Sequence, residues 1–256
     1  MSFAVGADAY GAFMGRFSEP LALRFADVAG VTGPTVTSAL DVGCGTGALT
    51  RVLVDRLGPD RVCAVDPSPP FVTAMRERFP DVDVRAGRAE ALPFDDGAFD
   101  AVLAQLVVHF MTDPVAGLAE MVRTARPGGV VAACVWDHAG GTGPLAAFWA
   151  AVRAGDPDAP DESELPGARE GHLVELLTAA GATDVTGTAI AVEVPHASFD
   201  AWWEPFTLGV GPAGAYVAAL DDAARRDLRE RCRARLPQGP SSTTARAWVG
   251  RGLAPR

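Results

Sequence analysis

Lysine is absent from this chain: all 22 of its basic residues are arginine. Without a lysine amine there is no Schiff-base chemistry, no lysine general base and no phosphate-loop lysine. Cysteine is scarce and scattered. Cys44, Cys63, Cys134 and Cys232 form no C-x-x-C pair and stand at no zinc-ligand spacing from a histidine, so no metal site is expected. They read as small buried hydrophobes in a reducing, cytoplasmic compartment. Basic charge is also short: 32 acidic residues against 22 basic ones leave a formal net charge of -10, which gives no pull toward nucleic-acid phosphates or anionic lipid. No apolar run is long enough to span a membrane, and residues 1–8 offer neither a basic n-region nor an apolar h-region. The expected partner is a small molecule, not nucleic acid or a membrane.

What is present is apolar material, 48% hydrophobic over 256 residues, enough for one large domain, 1–256. Its organising stretch runs from Ala39 to Thr50: a short apolar strand, the turn Gly43-Cys44-Gly45-Thr46-Gly47, then a helix. Alternate glycines let the backbone turn tightly and let a ligand lie against the main chain. Leu49, Val52, Leu53 and Leu57 fall at helical spacing and put one apolar face on the sheet. The spacing Gly43-x-Gly45-x-Gly47 suits a methionine-adenosine cofactor, while Gly43-x-Gly45-x-x-Ala48 fits the relaxed dinucleotide fingerprint of an NAD-dependent oxidoreductase. Asp66 closes the next strand, where a carboxylate can accept both ribose hydroxyls in either class and would repel a 2′-phosphate.

Strands and helices alternate from there: strand 36–42, helix 48–57, strand 61–66, helix 69–78, strand 82–86, strand 100–107, helix 114–125, strand 129–136. That order predicts an α/β, Rossmann-like, doubly wound and mostly parallel sheet. Asp113-Pro114 supplies an N-cap and a proline at the first helical position, and Arg126-Pro127-Gly128-Gly129 ends that helix. Residues 1–30 are expected to hold N-terminal lid helices, the second opened by Pro20, and 36–137 the cofactor-binding core. Residues 140–169, rich in Gly, Pro, Asp and Glu around a short apolar helix, read as a mobile connection. Strands near 185–194 and 243–250 are separated by 198–240, taken as a helical insertion before the last strand that caps the site. The alternative use of that piece is a homodimer interface.

The loop Val84-Arg85-Ala86-Gly87-Arg88-Ala89-Glu90-Ala91-Leu92-Pro93-Phe94 decides between the cofactor classes. With Ala39–Thr50, Ala64–Asp66 and Arg126–Gly129 in register, it resembles the small-molecule branch of the class I S-adenosylmethionine-dependent methyltransferases, over residues 36–137. The resemblance implies S-adenosyl-L-methionine as cofactor. Gly43, Cys44 and Gly45 would meet its methionyl end, Asp66 the ribose, the Ala89 backbone N–H the adenine and Gln105 the methionine moiety, with Asp41 and Pro67 in the same strand-end motifs. Arg88 stands where the family commonly has an aspartate, and a guanidinium cannot accept a hydrogen bond. Glu90 or a backbone carbonyl would then have to meet the adenine amine. An N-terminal helix folds over the cofactor in such proteins, which makes Tyr10 and Arg16 candidates, the latter for the methionyl carboxylate. Ser68-Pro69-Pro70-Phe71 copies the signature of base-amino methyltransferases but follows the second strand instead of the fourth, so it is a helix start.

His109, just past a strand end on the ligand side, is the candidate general base, followed by Asp137 and His138. His172 and His196 read as surface residues. The aromatic residues Phe13, Phe17, Trp136, Phe148, Trp202, Trp203 and Phe206 would suit an apolar substrate pocket. A non-methylating binder of the same cofactor is the remaining alternative.

Overall fold

The computed structural model describes residues 11–32, 35–159 and 162–256. Its strands are β1 (Ala39–Val42), β2 (Val62–Asp66), β3 (Asp83–Ala86), β4 (Phe99–Gln105), β5 (Ala125–Trp136), β6 (Thr183–His196) and β7 (Ser241–Leu253). They form one sheet in the order β3-β2-β1-β4-β5-β7-β6. Neighbours from β3 through β5 are parallel, and β7 lies antiparallel between β5 and β6. The chain winds outward in both directions from the β1/β4 pair, which makes the carboxyl ends of those two strands the crevice where such sheets hold ligands.

The helices are α1 (Arg16–Val28), α2 (Ala48–Leu57), α3 (Pro69–Arg78), α4 (Pro114–Thr124), α5 (Ala146–Arg153), α6 (His172–Ala179), α7 (Phe199–Trp203), α8 (Gly211–Ala219) and α9 (Asp222–Arg233). All four residues of β1 are buried, as a parallel strand covered on both faces requires. One face packs Leu21 and Phe25 of α1, Leu53 of α2 and Met75 of α3; the other packs Leu118 and Met121 of α4 with Leu173 and Leu177 of α6. Each fully buried side chain of this size contributes about 1.5–3 kcal/mol relative to exposure. Asp113 Oδ1 accepts the Ala116 N–H at 3.0 Å and caps α4 as its sequence predicts.

Several boundaries differ from the sequence reading. Pro20 does not open a helix; it lies inside α1. The buried stripe Phe17, Leu21, Ala22, Phe25, Ala26 runs straight past it, and that packing outweighs the one helical hydrogen bond the proline cannot make. The same burial packs α1 into the core beside the sheet. Arg126–Gly129 do not separate α4 from β5 but form an irregularity within β5, where the partner of Phe99 is Ala125 and that of Ala101 is Val130. Among the described residues of the connection 140–169, Phe148, Ala151, Val152 and Ala168 are fully buried.

The 198–240 insertion builds a third core. Trp202, Trp203, Phe206, Val217 and Leu228 pack with Phe148 and Trp149 of α5 and with Phe13. The Phe148 and Phe206 rings stack at 4.6 Å and 8°. Phe148, Trp202, Trp203 and Phe206 therefore form the interior of this third core; what a cluster of large rings gains from burying against itself exceeds what an open pocket wall returns.

Candidate active site

The three glycines after β1 all take left-handed backbone, with φ of 70° at Gly43, 52° at Gly45 and 86° at Gly47, a region that side chains disfavour. Their surroundings separate their roles. A Cβ on Gly43 would stand 2.5 Å from Val107 Cγ2, and one on Gly47 2.6 Å from Met75 Sδ, whereas one on Gly45 meets nothing within 4 Å. Gly43 and Gly47 thus admit close packing by neighbouring elements, and Gly45 is the glycine that faces open space.

The turn is held from β2. Gly43 and Cys44 N–H both donate to the Val65 carbonyl, at 2.8 and 3.1 Å. Asp66 Oδ2 accepts Gly45 N–H at 2.9 Å and its Oδ1 accepts Ser68 N–H at 2.8 Å. Each carboxylate oxygen keeps further lone-pair capacity for a ligand hydroxyl. Burial raises the Asp66 pKa, opposed by the two backbone hydrogen bonds. Asp41, wholly buried, accepts Thr50 Oγ1 at 2.6 Å. Burial lifts its pKa to about 7 against that hydrogen bond, with the Asp66 charge adding to the rise.

A cavity of about 110 Å³ opens here, its walls including Ser18, Asp41, Cys44, Gly45, Asp66, Pro67, Gln105 and Phe110. Gln105, at the end of β4, donates from Nε2 to the Ser18 carbonyl at 2.9 Å and so ties α1 to the seat. Its Oε1 is buried with no partner among the described residues. An orphaned buried acceptor is costly, and one on a residue that lines this cavity suits a cationic donor such as a methionyl ammonium.

The remaining sequence candidates divide. Tyr10 lies outside the described residues. Arg16 does not reach the cavity wall; its guanidinium stands 3.4 Å from His196 Nδ1 and donates to the Ala201 carbonyl at 3.3 Å. Arg88, Ala89 and Glu90 are not among the cavity walls either. Arg88 donates to Thr112 Oγ1 at 2.7 Å, and Glu90 accepts Thr112 N–H at 2.7 Å. The two charges clamp their loop to the start of α4. Asp137 is turned into its own loop, accepting Gly140 N–H at 2.8 Å, Trp248 Nε1–H at 3.0 Å and the Thr142 hydroxyl. His196, far from being a surface residue, is 3% exposed and bonds Thr243 Oγ1 through Nε2 at 2.8 Å. His172 is half-buried and accepts Gly167 N–H at 3.2 Å.

A second cavity, of about 40 Å³, shares Leu106 and Phe110 with the first and is lined further by Phe13, Trp136, His109, His138 and the Val210–Ala213 stretch that begins α8. Leu106, between the two cavities, holds φ at 60°, a conformation costing a non-glycine residue about 1–3 kcal/mol. His109 is 8% exposed, and burial, with the His138 ring nearby, pushes its pKa down to about 3. The two imidazoles are 6.0 Å apart. Behind them His138 Nδ1 stands 4.0 Å from Glu162 Oε2, which accepts Trp149 Nε1–H at 3.0 Å. Leu106, Phe110 and Glu162 carry no signal in the sequence that marks them as site residues: the first two look like core, and Glu162 lies in an acidic, loop-like stretch.

Residues 40–133 match the methyltransferase domain family model. An uncharacterized methyltransferase of Mycobacterium tuberculosis is 44% identical over 90 residues, 35% of this chain and 36% of that protein. The demethylmenaquinone methyltransferase of Renibacterium salmoninarum is 39% identical over 99 residues, 39% of this chain and 41% of that protein. The chain thus aligns with only about two-fifths or less of these relatives' own length. In fold it is similar to phosphoethanolamine N-methyltransferase 2 of Haemonchus contortus in complex with S-adenosyl-L-methionine, with a TM-score of 0.61 at 15% identity, covering 98% of this chain and 57% of that one. The glycine turn held by Asp66, the sheet order and the matched sequence agree: residues 40–133 are a methyltransferase domain of the class I, S-adenosylmethionine-dependent family.

Proposed function

We propose that the chain is an S-adenosylmethionine-dependent methyltransferase acting on a small, partly apolar molecule. The observation that carries this reading is the pair of adjoining cavities, one at the carboxyl ends of β1 and β4 with Asp66 and the orphaned Gln105 Oε1 in its wall, the other apolar, with Leu106 and Phe110 common to both. Bound there, the cofactor supplies a methyl group already activated on a sulfonium. The chain then has to align acceptor, methyl and sulfur and keep water out. Asp66 would take the ribose hydroxyls, Gly45 would let the methionyl end approach the backbone, and Gln105 Oε1 would accept from the ammonium. Phe110 and Leu106 would shield the line of transfer. Of the histidines, His109 and His138 are at the acceptor wall; Asp137 would serve by holding the loop that carries His138.

The net charge of -10 favours a small acceptor over nucleic acid, and no helix among the described residues is long and apolar enough to cross a membrane. The four cysteines are free, in keeping with a cytoplasmic protein. Titration of the purified protein with S-adenosylhomocysteine and with NAD separates a methyltransferase from a dehydrogenase. Transfer of a labelled methyl group to a small-molecule extract separates it from a non-methylating binder. Binding of NAD alone, or binding without transfer to any fraction, would overturn the reading.

A further inference from the structure

The second cavity carries an inference about what it accepts, which rests on the methyltransferase reading of the first. Its walls are mainly side chains without charge, among them Phe13, Met14, Trp136, Leu145 and Pro212. Two imidazoles belong to these walls, His109 and His138, and the buried Nδ1 of His109 has no hydrogen-bond partner among the described residues. A native structure seldom leaves such an atom unmade without a ligand or water to complete it.

We propose that this cavity recognises its acceptor through a neutral hydroxyl, a phenol or alcohol on a compact apolar body, hydrogen-bonded to His109 Nδ1. The functional groups can be sorted by what each could do at that atom. A neutral imidazole has one donor and one acceptor nitrogen, and which of them is Nδ1 depends on the tautomer. A hydroxyl both donates and accepts and so pairs with either. A carboxylate only accepts, would be stripped of water among apolar side chains, and would face the Glu162 carboxylate on the same wall. An ammonium would meet the same desolvation with a single counter-charge on that wall, Glu162, which also stands 4.0 Å from His138 Nδ1. Burial also keeps His109 itself uncharged at neutral pH. His109 is then a specificity-determining residue: it selects the hydroxyl and fixes its place against Leu106 and Phe110, beside the cofactor seat.

The test uses the full chain saturated with S-adenosylhomocysteine, titrated calorimetrically with four one-ring probes of like shape: p-cresol, toluene, p-toluate and p-methylbenzylamine. p-Cresol should bind about tenfold more tightly than toluene, the scale of one well-made hydrogen bond to a buried group, and the charged probes should bind more weakly than either. His109→Phe, which keeps a ring but removes both nitrogens, should bring p-cresol and toluene to equality, and His109→Gln should keep part of the preference. Equal binding of p-cresol and toluene to the wild type, a preference that survives His109→Phe, or tightest binding by the amine or the carboxylate would overturn the proposal. If S-adenosylhomocysteine itself fails to bind, the cofactor reading falls, and the same comparison on the free protein still decides the hydroxyl preference.

Discussion

Asp66 Oδ2 and the backbone N–H of Gly45, 2.9 Å apart, join the end of β2 to the turn after β1. The carboxylate therefore shapes the seat as well as facing it, since its other oxygen holds Ser68 N–H. Asp66→Ala should weaken S-adenosylhomocysteine binding by about 1.5–3 kcal/mol, the range for hydrogen bonds to a charged group, and should also lower the thermal midpoint. Calorimetric titration of a folded variant checks it; an unchanged dissociation constant would remove Asp66 from the ribose.

The glycines of the turn should fail in different ways. Gly43→Ala and Gly47→Ala drive a Cβ into Val107 and into Met75 and Phe79, so both should lose stability in the free protein, by about 1–3 kcal/mol for overpacking and more with the backbone strain. Gly45→Ala meets no protein atom within 4 Å and should cost about 1 kcal/mol from its left-handed backbone alone. Its larger effect should appear as lost cofactor affinity. Thermal unfolding and ligand titration on the three variants read these separately; a Gly45→Ala protein that binds S-adenosylhomocysteine normally would put the ligand elsewhere.

Asp41 gives a pH signature. Burial lifts its pKa to about 7 from an ordinary 3.8, the Thr50 hydrogen bond opposing and the Asp66 charge adding. The folded state then binds more protons than the unfolded one between those values, so the stability Asp41 contributes is present in acid and lost as pH rises toward 7. His109, held neutral by burial with its pKa at about 3, acts in the opposite sense below its ordinary 6.5 and flattens the wild-type profile. The stability of Asp41→Asn minus that of wild type isolates the carboxyl: it should grow between pH 5 and 7.5. A difference independent of pH would mean that Asp41 ionises as an ordinary aspartate.

Much of this was legible in the sequence, for physical reasons. Helices 48–57 and 69–78 were bounded by a glycine turn and by Pro69, which set the helix start locally, and β1 and β2 end in motifs whose chemistry restricts their place in the sheet. The cap was harder. An aromatic residue gives the same sequence signal whether it lines a cavity, as Phe13 and Trp136 do, or fills a core, as Phe148 and Trp202 do. His196 did carry a usable signal: Val192, Val194 and His196 alternate on the buried face of β6, a period of two that outranks the polarity of one residue. Asp137 carried none, because its partners Thr142 and Trp248 reach it only through the loop and the neighbouring strand β7.

Arg16 is where the sequence reading and the structure part most clearly, and its substitution distinguishes them. The resemblance implied a fork for the methionyl carboxylate; the structure gives its guanidinium to the Ala201 carbonyl and to His196 Nδ1. A guanidinium only donates, so Nδ1 must accept, and Nε2–H then donates to Thr243 Oγ1 at 2.8 Å. The chain Arg16–His196–Thr243 links α1, β6 and β7. Burial lowers the His196 pKa, and the Arg16 charge lowers it further. With its folded value below the ordinary 6.5, His196 makes the protein lose stability as pH falls beneath 6.5, where the unfolded chain takes up the proton first. Arg16→Ala should lower the stability of the free protein at pH 7.5 by about 1–3 kcal/mol, since it leaves a carbonyl and a ring nitrogen without their donor. It should also raise the His196 pKa measured by NMR, so that the deficit against wild type narrows between pH 7.5 and 5. Affinity for S-adenosylhomocysteine should change little. An unmoved His196 pKa and thermal midpoint, together with a large loss of affinity, would return Arg16 to the cofactor.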